Sequence, residues 1–89
     1  MIVAAAALTT ACQTTSIPGL HVRAQPSTAS PVVATVERSG TYVRIDCFVR
    51  GEPVNGDTVW YRISSPHDGY VTNYYVRTNG NILATKPRC

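Results

Sequence analysis

Two short apolar and aromatic runs, Val59-Trp60-Tyr61-Arg62-Ile63 and Gly69-Tyr70-Val71, constrain this chain more than any other stretch. Ser64 to Asp68 separates them and includes Pro66 and the start of an Asp68-Gly69 pair. Alternating large residues on both sides of a turn rich in Pro, Asp and Gly predict a β-hairpin. The hairpin holds the single Trp and two of the five Tyr. One aromatic side chain can bury about 150–250 Å², so the Trp60 hairpin is the expected centre of packing. Successive strand residues point to opposite faces, so Trp60 and Tyr61 cannot both enter one core, and nor can Tyr74 and Tyr75.

The flanking stretches repeat this short-strand pattern. Gly19 to Arg23 predicts a strand with Leu20 and Val22 on one face and His21 and Arg23 on the other. Ala24 to Pro31, with its Pro and Ser/Thr residues, reads as a loop. Val32 to Val36 returns to strand propensity and ends at the Ser39-Gly40 turn signal. Thr41 to Arg50 is the longest strand, with Val43, Ile45 and Cys47 expected on one face and Arg44 and Asp46 on the other. Phe48 breaks that phase, which predicts a bulge or bend close by. Asn55-Gly56 suits a tight two-residue turn whose central positions need positive φ. Thr72 to Val76 follows the hairpin, and Arg77 to Cys89 reads as a tail. No helical period is sustained after residue 19, so the fold is expected to be all-β, with five or six short strands closing into a small barrel.

The chain begins differently. Ile2 to Leu8 is an unbroken apolar run, shorter than the roughly 20 residues a membrane-spanning helix requires. With the small residues Thr9 and Ala11 behind it, the run reads as the remnant of a secretory signal over residues 1–11, although no basic residue precedes it. Leu8-Thr9-Thr10-Ala11-Cys12 resembles a bacterial lipoprotein box, which would make Cys12 a lipidation site and the protein's one attachment to a membrane. Simple cleavage is the competing outcome. Residues 12–18 are polar and read as a linker, residues 19–78 as the barrel, and residues 79–89 as the tail.

Charge narrows the partners. The chain of 89 residues has a net charge of +3, and its eight Lys and Arg are scattered singly. Blocks of basic residues, or basic residues interleaved with aromatics, would mark a nucleic-acid surface, and neither is present. Catalytic sets are equally hard to assemble. Cys47, His67 and Asp68 would make a thiol protease only if His67 reached the sulfur, yet His67 lies in a turn. His21 and His67 are far apart and no Cys-x-x-Cys occurs, which speaks against a zinc site. Asp46, Asp57, Asp68, Glu37 and Glu52 form no obvious acid–base pair, and most fall at turns or on a polar strand face. The expectation is no catalysis, no metal and no cofactor.

Leu20-His21-Val22-Arg23, the Pro26-Ser27 loop, Val33 to Val36, the Gly40-to-Ile45 strand, Trp60-Tyr61-Arg62-Ile63 and Gly69-Tyr70-Val71 together resemble the bacterial SH3-like domain. His21 stands where that family usually has Asn, and Ala24-Gln25 where it has Ser-Gly. Cys47, Gly51 to Gly56 and the terminal Pro87-Arg88-Cys89 resemble the secreted actinomycete versions. In those, a Cys ending the long strand bonds to a Cys at the C-terminus. The resemblance thus implies a Cys47–Cys89 disulfide, which export would permit; two separate thiols are the alternative. It also implies a secreted or cell-surface binding module, expected to be a monomer, that recognises cell-wall peptide, glycan or a surface protein. Surface Tyr near Arg suits such recognition. Tyr42, Tyr61, Tyr74 and Tyr75 are the candidate contacts, with Arg23 and Arg62 for polar or charged groups. A small secreted interaction or effector protein without wall affinity is the rival reading, and an accessory fragment of a cell-wall hydrolase is a third.

Overall fold

The computed structural model describes residues 13–77 and 86–89. Seven strands run through it: β1 (Thr14–Thr15), β2 (Leu20–Arg23), β3 (Val32–Val36), β4 (Arg44–Val54), β5 (Asp57–Ser65), β6 (Gly69–Thr72) and β7 (Val76–Arg77). One 3-10 turn, Asn73–Tyr75, joins β6 to β7. Five strands form an antiparallel sheet in the order β3-β2-β6-β5-β4, and β1 pairs with β7. The fold is all-β, as the alternation predicts.

The β4–β5 hairpin turns at Asn55-Gly56, where φ is 50° and 86°. Asn tolerates the left-handed region and Gly adopts it freely, so the pair supplies the turn that matches strand twist. β5 then pairs with β6 through Tyr61 opposite Val71 and Ile63 opposite Gly69. Val59, Tyr61 and Ile63 point into one core with Leu20, Val22, Val36, Val43, Ile45, Val71 and Val76. Burying each Val, Leu or Ile contributes roughly 1.5–3 kcal/mol.

Trp60 is buried yet lies outside that core. It projects from the opposite face of β5, where its indole N–H donates to the Glu52 carbonyl at 2.8 Å. Pro26 and Gly51 close over it: a Cβ built on Gly51 would stand 2.4 Å from the Pro26 carbonyl oxygen and 2.9 Å from Trp60 Cδ1. The hairpin is indeed the centre of packing, but the ring at the centre is Tyr61.

The phase break on β4 falls one step earlier than Phe48. Ile45 pairs with Ile63 and Cys47 with Arg62, so Asp46 is the extra residue of a bulge. The bulge moves Cys47 to the outer face beside exposed Arg62 and turns Phe48 toward the core. Cys47 is bonded to Cys89, with an S–S distance of 2.08 Å. The tail docks beside β4 here, Phe48 N donating to the Pro87 carbonyl and Cys89 N to the Phe48 carbonyl.

Two expectations differ from the structure. The described part of the expected linker, residues 13–18, is not free: Thr14–Thr15 is a strand and Gln13 and Thr15 are buried. Thr15 compensates its burial by donating from Oγ1 to the Arg38 carbonyl and accepting from Thr41 N. Tyr74 and Tyr75, expected to alternate as strand neighbours, instead lie in the 3-10 turn Asn73–Tyr75. Thr72 Oγ1 accepts from Tyr74 N and caps the 3-10 turn, which ends the period-two pattern.

Gly51→Ala tests the seal over Trp60. Among the described residues the positive-φ glycines are Gly19, Gly40, Gly56 and Gly69, so the penalty at Gly51 is steric. Displacing Pro26 or the indole is expected to cost about 1–3 kcal/mol, read as a lower urea midpoint. An unchanged midpoint would mean that the loop over Trp60 moves away freely.

Candidate functional site

Alternation on the β1–β7 ribbon builds the most exposed aromatic surface. Thr14 pairs with Arg77 on one side and with Tyr42 on the other. Gln13, Thr15, Val43 and Val76 point inward and are buried. Their neighbours Tyr42, Thr14 and Arg77 therefore share the outer face as a cross-strand row. Tyr42 is 61% exposed, the most exposed large apolar side chain among the described residues. Next to the row, Thr14, Thr15, Ser16, Ser39, Gly40 and Arg77 line a depression of about 290 Å³.

At the other end of β7, Tyr74 and Tyr75 meet edge to face, their centroids 4.9 Å apart. Tyr74 is 47% exposed, whereas Tyr75 packs partly against the core. Arg62 is exposed on the outer sheet face, its guanidinium 5.6 Å from the centre of the Tyr70 ring opposite it.

Tyr61 cannot belong to a recognition surface, because it is 1% exposed. Its hydroxyl donates to Asn73 Oδ1 at 2.5 Å, and Asn73 Nδ2 donates to Asp57 Oδ2 at 2.7 Å. Asp57 Oδ1 in turn accepts from Val59 N. This relay ties the 3-10 turn to the start of β5. Burial, and then the nearby Asp57 charge, raises the Tyr61 pKa well above its ordinary value.

Arg23 is also engaged within the fold. Its Nη1 donates to the Thr28 and Ser30 carbonyls at 2.9 and 3.0 Å, pinning the loop from Ala24 to Pro31. Glu52 holds the same loop from the other side, accepting from Ser27 Oγ, Thr28 N and Thr28 Oγ1. Those hydrogen bonds, led by that of the Thr28 hydroxyl, hold the Glu52 pKa below its ordinary value of 4.5. With its sulfur in the disulfide, Cys47 has no thiol to act as a nucleophile. Cys12 lies outside the described residues.

Of the expected contacts, then, Tyr42, Tyr74 and Arg62 are exposed, Tyr75 is half-buried, and Tyr61 and Arg23 hold the fold together. Sequence reasoning missed Thr14, Ser39, Gly40 and Arg77. The signal for Arg77 was its place after Val76, an apolar residue whose alternation turns the next side chain outward.

An all-β domain of this size, with surface tyrosines and a hydroxyl-lined depression, has the form of a ligand-binding module. The bacterial SH3 domain family matches residues 18–77. The chain belongs to that family, whose domains are binding modules and not catalysts in themselves. No curated protein gives a significant match to the chain.

Both perturbed groups predict a pH response. Folded Glu52 releases its proton more readily than it does in the unfolded chain. Its contribution is therefore present above about pH 4.5 and is lost as acid protonates it. Glu52→Gln is expected to flatten the acid limb of a stability–pH curve; an unaltered limb would show that the loop bonds add nothing. Folded Tyr61 holds its proton more tightly than unfolded Tyr. Stability is thus full below about pH 10 and declines as pH rises further. In an alkaline titration followed by tyrosinate absorbance, Tyr61→Phe is expected to remove a late step that coincides with unfolding. Loss of an early step instead would contradict the burial.

Proposed function

We propose that this chain is an exported, non-catalytic module that recognises cell-wall peptide or glycan at the cell surface. The observation that carries the reading is the exposed Tyr42–Thr14–Arg77 row on a bacterial SH3 domain. A protruding phenol ring offers a rigid amphipathic face to a sugar or peptide, and a neighbouring guanidinium supplies direction. Export is supported by the apolar run Ile2 to Leu8 and by the Cys47–Cys89 disulfide, a bond rare in reducing compartments. Tyr42 and Tyr74 are the principal contacts, and Arg62 is a further polar contact on the outer sheet face. Residues 1–11 act as the export signal, and Cys12 is the point where a lipid would be attached.

Sedimentation with purified peptidoglycan tests this. The protein is expected to be retained by the wall, and Tyr42→Ala and Tyr74→Ala are each expected to weaken retention by about 1–2 kcal/mol, which is roughly five- to thirtyfold. If folded variants sediment like the parent, the contact surface is wrong. Failure of the parent to sediment removes wall affinity and leaves a secreted interaction protein with another partner.

A further inference from the structure

We propose that the depression beside Arg77 is a binding site for a carboxylate monoanion. This deepens the wall-recognition reading and rests on it for its biological source.

The argument begins with which basic and hydroxyl groups are already engaged. Arg23 is held by two loop carbonyls, Arg44 lies 3.7 Å from Asp46, Arg50 donates to Thr58, and Arg62 lies over Tyr70. Arg77, like Arg38, Lys86 and Arg88, makes no side-chain hydrogen bond or ion pair with a described residue, but of these four it is Arg77 that lines the depression. The hydroxyls divide in the same way. Those of Thr15, Ser27, Thr28, Thr41, Ser64 and Thr72 bond within the fold. Those of Thr14, Ser16, Thr35, Ser39 and Ser65 bond to no described residue, and Thr14, Ser16 and Ser39 line the depression. Three backbone amides around them are committed: Gly40 N donates to the Thr15 carbonyl, Ser16 N to that of Tyr75, and Thr15 N to that of Thr41. These bonds tie the lining segments to one another, while the Thr14, Ser16, Ser39 and Arg77 side chains on the lining stay available.

Chemistry selects the ligand. A guanidinium fork matches the two oxygens of a carboxylate, and the surrounding hydroxyls can donate to the same group. No Asp or Glu lines the depression to compete for Arg77. One lining cation suits one negative charge, which favours a carboxylate over a phosphate dianion. At about 30 Å³ per water, 290 Å³ admits a carboxylate with one small residue or ring attached. Tyr42, across Thr14 from Arg77, would then face the remainder of the ligand.

Amide resonances of the whole chain, followed by NMR, provide the test. N-acetylalanine represents a peptide end and glucuronate an acidic sugar; N-acetylalaninamide and inorganic phosphate are the controls. Saturable shifts confined to Thr14 to Ser16, Ser39, Gly40 and Arg77 are expected with a carboxylate and not with the amide. The acid with the lower dissociation constant identifies the source. Arg77→Gln is expected to raise that constant about tenfold, the loss of one charge-assisted hydrogen-bonding group, and Arg77→Lys to recover only part of it. Arg50→Gln, away from the depression, is expected to leave it unchanged. Equal shifts with acid and amide, tighter binding of phosphate, shifts centred on Arg62, or an undiminished response in folded Arg77→Gln would each overturn the proposal. Peptidoglycan sedimentation in parallel separates the two readings. Wall retention without carboxylate shifts sinks this site alone, whereas carboxylate shifts without retention sink the wall reading alone.

Discussion

Burial of β5 on both faces is the constraint on which the rest of the domain depends. A sheet strand normally has one dry face and one wet one. Here Tyr61 and Ile63 enter the main core while Trp60, on the reverse side, is buried beneath Pro26 and Gly51. Two separate packing regions therefore share one backbone. The indole N–H would be costly to bury unpaired, and its bond to the Glu52 carbonyl removes that cost. Because Glu52 lies on β4, the same bond helps fix how the long hairpin bends back over the indole.

The loop over Trp60 shows how little of the polar chemistry in this chain is free for ligands. Ala24 to Pro31 has few apolar side chains of its own, so packing alone cannot order it. Arg23 binds its carbonyls and Glu52 binds its hydroxyls and an amide. Opposite charges thus grip one short loop from two strands without forming an ion pair with each other. Side chains that would suit recognition if exposed instead hold the cover of a second hydrophobic region.

The parts of the fold that local pattern dictates were legible in the sequence. Asn55-Gly56 announced its turn because two consecutive positive φ values leave few residue choices. β2 was legible because Leu20 and Val22 alternate with polar neighbours. The misreadings have long-range causes. Tyr61 was assigned to the surface because Trp60 was assigned to the core; the loop that covers Trp60 comes from about 34 positions earlier, beyond the reach of any periodicity. Thr14–Thr15 gave no apolar signal, since Thr15 is buried through hydrogen bonds rather than hydrophobicity. The bulge was evident as a slip in phase but not in position, because Cys47 and Phe48 are both acceptable core residues.

The two ends of the domain are closed by different means, and this difference explains where a ligand surface can form. β4 is an outer strand of the sheet, and a bare edge invites pairing with another chain. The tail covers it at Phe48 through two backbone bonds, and the Cys47–Cys89 bond keeps the tail in place. Cross-linking positions 42 residues apart stabilises a fold by about 4 kcal/mol on chain-entropy grounds, a large fraction of what so small a domain can have. The β1–β7 ribbon needs no such fastening, because Gln13, Thr15, Val43 and Val76 seat it from below. Its backbone is satisfied and its underside is dry, so its upper side chains have no structural duty. Recognition requires groups that are rigidly placed yet chemically unsatisfied, and the proposed surface meets that requirement because Tyr42, Thr14 and Arg77 stand together, without side-chain hydrogen-bond partners among the described residues, on a ribbon held from beneath.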